Sequence, residues 1–264
     1  MHVQVGNRTL SYSRRGAGDP LLLIMGMAGH QGLWGNDFLD LLARDFDVVT
    51  YDHRGIGSST DDGAPFTIRD LTDDAVALLD DLGWDSANVF GISMGGMVAQ
   101  ELALTHPDRV RRLVLGCTYC GGAGSSLNAQ GPMKMMAAMN SGVAEDAVRA
   151  GFHANLSPSW TADEEHWTEF SQLALSERVP VPVVMRQAQA VFAHNTASRL
   201  PGMTKATLVV AGTADDMLLY SNSELITSLL PNASMLSFPD VGHLFWWERP
   251  ADTAEAIRAH LLGS

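Results

Sequence analysis

A serine flanked by glycines at a junction between a strand and a helix constrains this chain more than any other feature. The stretch is Gly91-Ile92-Ser93-Met94-Gly95, preceded by an apolar run at 87–90 and followed by a helix-like segment at 96–105. The glycines let strand and helix approach without a Cβ clash, and so tight a turn is expected to hold Ser93 in an unfavourable backbone conformation. The hydroxyl then lies at a helix N-terminus, whose N–H groups and dipole favour a developing anion. The pattern predicts a nucleophile elbow.

The composition fits one large domain, or a core that carries an insertion. The chain has 264 residues, of which 46% are hydrophobic, and a net charge of −13. This charge repels nucleic-acid phosphates and anionic lipid, so we expect no nucleic acid and no membrane as partners, and a neutral or weakly charged small molecule instead. No secretory signal or membrane span is visible, which predicts a cytoplasmic location. The oligomeric state stays open.

The two cysteines, Cys117 and Cys120, are predicted to be reduced thiols at a strand end. A structural zinc site needs about four protein ligands, and the sequence offers no second cysteine pair. A redox pair would normally open a helix, whereas this pair leads into a glycine-rich stretch. No histidine–carboxylate cluster has convincing ligand spacing either. We therefore expect no metal and no cofactor.

Strand-like and helix-like segments alternate in the first and last parts of the chain. Predicted strands lie at 3–5, 9–12, 21–25, 46–51, 87–90, 113–115, 207–211 and 234–238, and predicted helices at 38–44, 68–82, 96–105, 219–230 and 250–262. This alternation predicts an α/β fold with a mostly parallel central sheet and helices on both faces. Residues 120–200 contain helix-like pieces and no clear succession of strands. We expect a core of 1–119 and 201–264 with a helical insertion at 120–200.

A catalytic serine needs a base, a group that orients the base, and donors for an oxyanion. His243 directly follows the last predicted strand, so it would share a sheet edge with Ser93, and histidine is the usual base at neutral pH. Asp215 follows the strand before it and is the expected carboxylate. Asp216 is the rival, which we expect to be a solvated neighbour or a helix N-cap. The chain order predicts Ser93 as nucleophile, Asp215 as acid and His243 as base.

Two backbone amides are predicted to form the oxyanion hole. The N–H of Met94 directly follows the nucleophile, as this type of site requires. The second N–H is expected from Met27, in the loop 26–30 that follows the strand 21–25. The glycines of that loop permit a backbone amide to face the site.

Apolar residues near the expected catalytic loops suggest a bulky, largely apolar substrate. We expect five of them to line its pocket: Trp34, Met133, Met136, Phe245 and Trp246. Simpler interpretations stay open, since Met135, Met136 and Met139 at helical spacing could be the buried face of a helix, and Trp246 could pack the final helix. His30 and His53, on loops at the same sheet edge, could contact substrate, but loop-stabilising hydrogen bonds are favoured.

Together these motifs resemble those of the α/β-hydrolase superfamily. The matching stretches are Gly26-Met27, 52–59, 91–96, 212–215, and Gly242-His243 with 248–250. Within the superfamily the chain is similar to small serine esterases and enol-lactonases, and 25–26 and 51–54 are similar to methylesterases that act on anthracycline polyketides. The family commonly has His-Gly in the oxyanion loop; Met25 replaces that His and changes how the loop is supported. The resemblance implies the α/β-hydrolase fold and a cap formed by the insertion.

The sequence therefore predicts a serine hydrolase of a bulky, largely apolar carboxylic ester or lactone, acting through an acyl-enzyme on Ser93. A carbon–carbon bond hydrolase of a β-diketone-like substrate would use the same triad and stays open. A non-hydrolytic ligand-binding protein on the same fold also stays open. Epoxide and haloalkane hydrolysis are disfavoured, because those reactions in this fold use an aspartate in place of Ser93.

Overall fold

The computed structural model describes residues 1–139 and 142–263. Its strands are β1 (His2–Val5), β2 (Arg8–Arg15), β3 (Asp19–Ile24), β4 (Phe46–Tyr51), β5 (Ala87–Ile92), β6 (Val110–Gly116), β7 (Thr207–Gly212) and β8 (Ala233–Phe238). They form an eight-stranded sheet in the order β1-β2-β4-β3-β5-β6-β7-β8. The pairs β1–β2 and β2–β4 are antiparallel, and all later pairs are parallel. The carboxyl ends of β3 to β8 therefore meet at one sheet edge.

The helices connect these strands. They are α1 (Asn36–Leu42), α2 (Ile68–Asp81), α3 (Met94–Thr105), α4 (Gly131–Met139), α5 (Ala144–Asn155), α6 (Pro158–Thr161), α7 (Glu164–Ala174), α8 (Val181–Ala193), α9 (Tyr220–Leu229), α10 (Phe245–Glu248) and α11 (Pro250–Leu262). Helices α4 to α8 all lie between β6 and β7. None of the described helices combines the length and the apolar character needed to cross a membrane.

The sheet is buried on both faces, which explains its continuous apolar strands. In β3, Leu22 and Ile24 pack into one core with residues of α2, α3 and α9, whereas Leu21 and Leu23 pack into a second core with residues of α1 and α11. Side chains of a strand alternate between its faces, so each core takes every second residue. The predicted mostly parallel sheet with helices on both faces is confirmed.

Helix α8 is fixed to the core of the protein by contacts along its length. Arg186 forms an ion pair with Asp61 and donates to the carbonyl of Ala64 at 3.1 Å. Val183 packs against Gly55, whose absent Cβ would lie 2.7 Å from Val183 Cγ2. These contacts tie the segment between β6 and β7 to the loops at the carboxyl edge of the sheet.

A buried histidine after α8 predicts how stability depends on pH. His194 is only 7% exposed, and burial lowers its pKa from 6.5 to about 4, against the weaker opposing effect of Glu101. Between pH 4 and pH 6.5, His194 binds a proton in the unfolded chain but not in the folded chain. The contribution of the neutral His194 to the free energy of unfolding is therefore complete above pH 6.5 and is lost as the pH falls towards 4. The loss amounts to about 3 kcal/mol of unfolding free energy.

The measurement is urea unfolding at pH 7 and pH 4.5 for the parent protein and His194→Gln. The variant is expected to lose less unfolding free energy on acidification, whatever its stability at pH 7. His153→Gln is the matched control, because His153 is exposed on α5. Equal losses in the parent and in His194→Gln would contradict the assignment.

Candidate active site

Ser93 sits at the tight junction of β5 and α3, with φ 53° and ψ −122°. A positive φ is uncommon for a residue with a side chain and costs energy unless the surroundings impose it. Two glycines make the junction possible. A Cβ on Gly91 would lie 2.2 Å from the carbonyl oxygen of Gly95, and a Cβ on Gly95 would lie 2.0 Å from that of Ile24. A larger residue at position 91 would push β5 away from α3, and a larger residue at position 95 would push α3 away from β3.

The end of β6 holds the backbone of Ser93 on both sides. The Ser93 N–H donates to the carbonyl of Gly116 at 2.9 Å. The Ser93 carbonyl accepts from the hydroxyl of Thr118 at 2.7 Å. These two bonds help to stabilise the strained conformation. They also fix the backbone from which the Ser93 side chain extends, at the N-terminus of α3.

His243 and Asp215 meet at the same edge of the sheet. His243 Nδ1 lies 2.7 Å from Asp215 Oδ2, and the two residues are 4% and 6% exposed. Asp215 Oδ1 accepts from the backbone N–H groups of Met217 and Leu218 at 2.7 and 2.9 Å. An ionised carboxylate only accepts, so Nδ1 carries the proton and Nε2 of a neutral ring is free to act as a base.

Asp216 has a different environment. Its Oδ2 lies 2.8 Å from Lys134 Nζ, and its Oδ1 accepts from the N–H of Gln130 at 3.3 Å. The side chain is 36% exposed. Of the two adjacent carboxylates, the structure therefore places Asp215 against His243, and Asp216 in a surface ion pair at the start of α4.

The loop after β3 runs directly beside Ser93. Ser93 Oγ lies 3.5 Å from the position that a Cβ on Gly26 would occupy. The amides of Met27 and Met94 have no hydrogen-bond acceptor within residues 1–139 and 142–263. One of these amides thus belongs to the loop beside Ser93 and the other to the residue after Ser93, and unpaired amides are what an oxyanion hole requires.

Two hydrogen bonds support this loop. His53 Nε2 donates to the carbonyl of Met25 at 2.9 Å. The N–H of Ala28, which has a φ of 61°, donates to Gln187 Oε1 at 2.9 Å. Gln187 belongs to α8, so the loop is held partly by a residue 159 positions further along the chain.

His30 and His53 each hold a loop in place by hydrogen bonds. His53 bonds to the loop after β3, whereas His30 bonds both within its own loop and to the segment between β6 and β7. His30 accepts from the N–H of Gly32 through Nδ1 at 3.2 Å, and its Nε2 donates to the carbonyl of Leu173 at 2.9 Å. Burial lowers the pKa of His30 and also that of His53. Both rings are therefore neutral near pH 7, in keeping with the favoured loop-stabilising interpretation.

Cys117 lies beside Asp215 and His243, a position that its sequence surroundings did not indicate. One potential metal-ligand atom from each of Cys117, Asp215 and His243 lies within 4.8 Å of the other two. Burial and the Asp215 carboxylate raise the pKa of the Cys117 thiol well above its ordinary value. A metal is bound by the thiolate, so a protonated thiol fits this cluster better as a neighbour of the carboxylate than as a ligand. The sequence did hold one signal for this proximity. Cys117 directly follows β6, and β6 lies between β5 and β7, the strands that precede Ser93 and Asp215.

The expected role of three aromatic residues in the pocket needs correction. Trp34, Phe245 and Trp246 are 0%, 0% and 1% exposed and belong to the core under one sheet face. The Trp34 ring lies 5.0 Å from that of Phe90 and 4.9 Å from that of Trp246. Their closeness in sequence to the expected catalytic loops did not show which way the side chains point. Packed against the sheet, these rings make more apolar contact than they would in the wall of a solvent-filled pocket.

Met133 and Met136 lie on an exposed face of α4, at 66% and 55% exposure. The alternative that Met136 belongs to a buried helix face is therefore wrong. Met135 points instead towards α5, with its sulfur 3.9 Å from Asn155 Nδ2. The side chain of Met139 lies outside the described residues. Substrate binding by Met133 and Met136 stays a prediction. Helix α4 does begin beside Asp216, whose carbonyl accepts from the N–H of Gly131 at 2.8 Å.

Known proteins resemble this chain over nearly its whole length. A family profile described as "alpha/beta hydrolase fold" matches residues 19–250. A putative carbamate hydrolase, RutD of Azorhizobium caulinodans, is 29% identical, with 98% of this chain and 95% of the relative covered. A putative non-heme bromoperoxidase, BpoC of Mycobacterium tuberculosis, is 30% identical, with 96% of each covered. The solved structure of Est816, described as an N-acyl homoserine lactone degrading enzyme, is 28% identical with a TM-score of 0.79, covering 98% of this chain and 99% of that one.

Proposed function

Because this chain belongs to the α/β-hydrolase family, we propose that it is a serine hydrolase that cleaves a bulky, largely apolar carboxylic ester or lactone through an acyl-enzyme on Ser93. The observation that carries the proposal is the buried pair of His243 Nδ1 and Asp215 Oδ2, 2.7 Å apart, at the sheet edge where Ser93 is held in its strained turn. A metal or cofactor has no part in this reaction.

The proposed reaction gives each of these groups one role. Ser93 Oγ attacks the substrate carbonyl carbon while His243 Nε2 takes the hydroxyl proton, and Asp215 stabilises the imidazolium that forms. The N–H groups of Met27 and Met94 stabilise the oxyanion. The tetrahedral intermediate then breaks its bond to the alkoxy oxygen, which receives the proton from His243. Water, deprotonated by His243, releases the acid and restores Ser93.

Residues 120–200 are proposed to form a cap over this site. Three contacts from α4 to α8 support the proposal, because each reaches a loop beside the catalytic residues. Gln187 of α8 bonds Ala28, the carbonyl of Leu173 in α7 accepts from His30, and α4 begins at Asp216. A cap in this position would exclude water and enclose the part of the substrate that is not cleaved.

The proposed substrate is apolar because the accessible methionines lie near Ser93 and Asp215. Met27 is only partly buried in the loop beside Ser93, and Met133 and Met136 are exposed on α4, which begins beside Asp216. Methionine adapts its shape to irregular apolar ligands. The net charge of −13 disfavours an anionic substrate. The names of the relatives add carbamates and acyl lactones to the carbonyl compounds to be tried.

The test is kcat/KM across esters with one leaving group and different acyl groups: acetate, bulky neutral aryl or macrocyclic acids, and acids that bear a carboxylate or phosphate. Each buried CH2 contributes about 0.8 kcal/mol, so the bulky neutral esters are expected to exceed acetate by at least about tenfold. A lactone, a carbamate and a β-diketone complete the panel. A clear preference for acetate or for the anionic esters would contradict the proposed pocket, and a preference for the diketone would favour carbon–carbon bond hydrolysis.

A further inference from the structure

Gln187 is a fully buried polar residue that reaches from α8 to the loop beside the nucleophile. The residue has 0% exposure, and its Oε1 accepts from the N–H of Ala28 at 2.9 Å. Ala28 directly follows Met27, the proposed oxyanion donor, and has a φ of 61°, which a residue with a side chain rarely adopts. Gln187 therefore supports the strained backbone from which the Met27 amide projects.

The position of Gln187 is fixed by its neighbours on α8. Arg186 is anchored through its ion pair with Asp61, and Val183, one helical turn earlier, packs against Gly55. Residues at i and i+4 lie on the same face of a helix, so Val183 and Gln187 face the core together. The α8 backbone that carries Gln187 is consequently held against the loops at the carboxyl edge of the sheet.

The second half of the Gln187 amide is buried without a partner: its Nε2 makes no hydrogen bond to any of the residues that the structure describes. Exchanging the amide oxygen and nitrogen would not help, because an NH2 group would then face the N–H of Ala28, a donor against a donor. A buried donor left without an acceptor is destabilising, so such a group calls for an acceptor. Since Nε2 is one amide width from Oε1, that acceptor would lie close to the oxyanion loop.

We propose that Gln187 is a substrate-binding residue: its Nε2 donates to an acceptor oxygen of the substrate, separate from the scissile carbonyl oxygen, while its Oε1 holds the oxyanion loop. This inference rests on the proposed function and narrows its substrate class. The preferred ester or lactone carries a second oxygen, as an ether, hydroxyl or keto group, within a few bonds of the scissile carbonyl. A purely hydrocarbon acyl group would leave the buried donor unpaired and bind less well.

Two substitutions separate the two halves of the amide. Gln187→Glu keeps an oxygen that can accept from Ala28 but removes the Nε2 donor. Gln187→Met has a similar length and removes both. The matched controls are Gln189→Glu and Gln189→Met, because Gln189 is exposed on the same helix. The probes are p-nitrophenyl methoxyacetate and p-nitrophenyl butanoate, which differ only in an ether oxygen that replaces a CH2 group.

Gln187→Glu is expected to lower kcat/KM for the methoxyacetate at least about tenfold more than for the butanoate, which corresponds to one lost hydrogen bond to substrate. Gln187→Met is expected to lower kcat for both esters as well, because the oxyanion loop loses its support. The Gln189 variants should leave both rates within about twofold of the parent. Equal losses for the two esters in Gln187→Glu would overturn the proposal.

The parent protein gives a second readout if the variants do not fold. Its ratio of kcat/KM for methoxyacetate over butanoate, divided by the same ratio for hydroxide-catalysed hydrolysis, is expected to exceed about ten, and a quotient at or below one would overturn the role of Nε2. Failure of the proposed function gives a different result. In that case the parent would turn over neither ester, or Ser93→Ala would turn over both as fast as the parent.

Discussion

Replacing Ser93 by alanine is expected to lower kcat for an activated ester by at least about 1,000-fold, with no loss of the folded state. The nucleophile disappears, whereas the donors of Met27 and Met94 remain and leave a small residual rate. Alanine tolerates a φ of 53° no worse than serine does, so the elbow itself gains no new strain. His243→Ala is expected to cause a similar loss, because the hydroxyl then has no base.

The measurement is kcat with p-nitrophenyl butanoate together with thermal unfolding of each variant. Ser221→Ala is the matched control, since Ser221 is exposed on α9. The control should keep its full rate. A Ser93→Ala protein that is folded and still hydrolyses the ester at more than about a tenth of the parental rate would remove Ser93 from the mechanism.

The second large effect is expected at Asp215, where Asn should lower kcat by about 10,000-fold. Oδ1 of the new amide would still accept from the amides of Met217 and Leu218. The NH2 group would then replace Oδ2 and face His243 Nδ1. The ring would shift its proton to Nε2, and a protonated Nε2 cannot accept the Ser93 proton.

Asp216→Asn is the matched control, one residue along the chain and with the same change of atoms. It breaks an exposed ion pair with Lys134, and such pairs contribute about 0–1 kcal/mol. We therefore expect a change in kcat of less than about threefold. The reverse result, with Asp216→Asn inactive and Asp215→Asn nearly as active as the parent, would show that the wrong carboxylate was assigned.

The parts of the site that follow strand ends could be predicted from the sequence. Ser93, Asp215 and His243 each come within a few residues of a strand end, and parallel strands bring their carboxyl ends to one edge. Apolar runs and the glycines of the elbow indicate local backbone structure. The strands and most helices of the core therefore lie close to the predicted ranges. Helix α10 was not predicted, because four residues are too short to show a helical period.

The contacts between distant segments could not be predicted. The bond from Ala28 to Gln187 joins residues 159 positions apart, and nothing near either residue indicates the other. The direction of a side chain is also hidden, so Trp34 and Phe245 were expected in a pocket and instead fill the core. A loop sequence predicts where a residue is along the chain, whereas packing decides which way the residue faces.

The central claim is that Ser93 is the covalent nucleophile, and an alkyl fluorophosphonate tests it most directly. The probe reacts with an activated serine and leaves one stable phosphonyl group, so intact-mass spectrometry should show a single adduct and peptide mapping should place it on Ser93. Labelling should disappear in Ser93→Ala and slow sharply in His243→Ala. An adduct on a residue other than Ser93, or labelling of Ser93→Ala at the parental rate, would contradict the account.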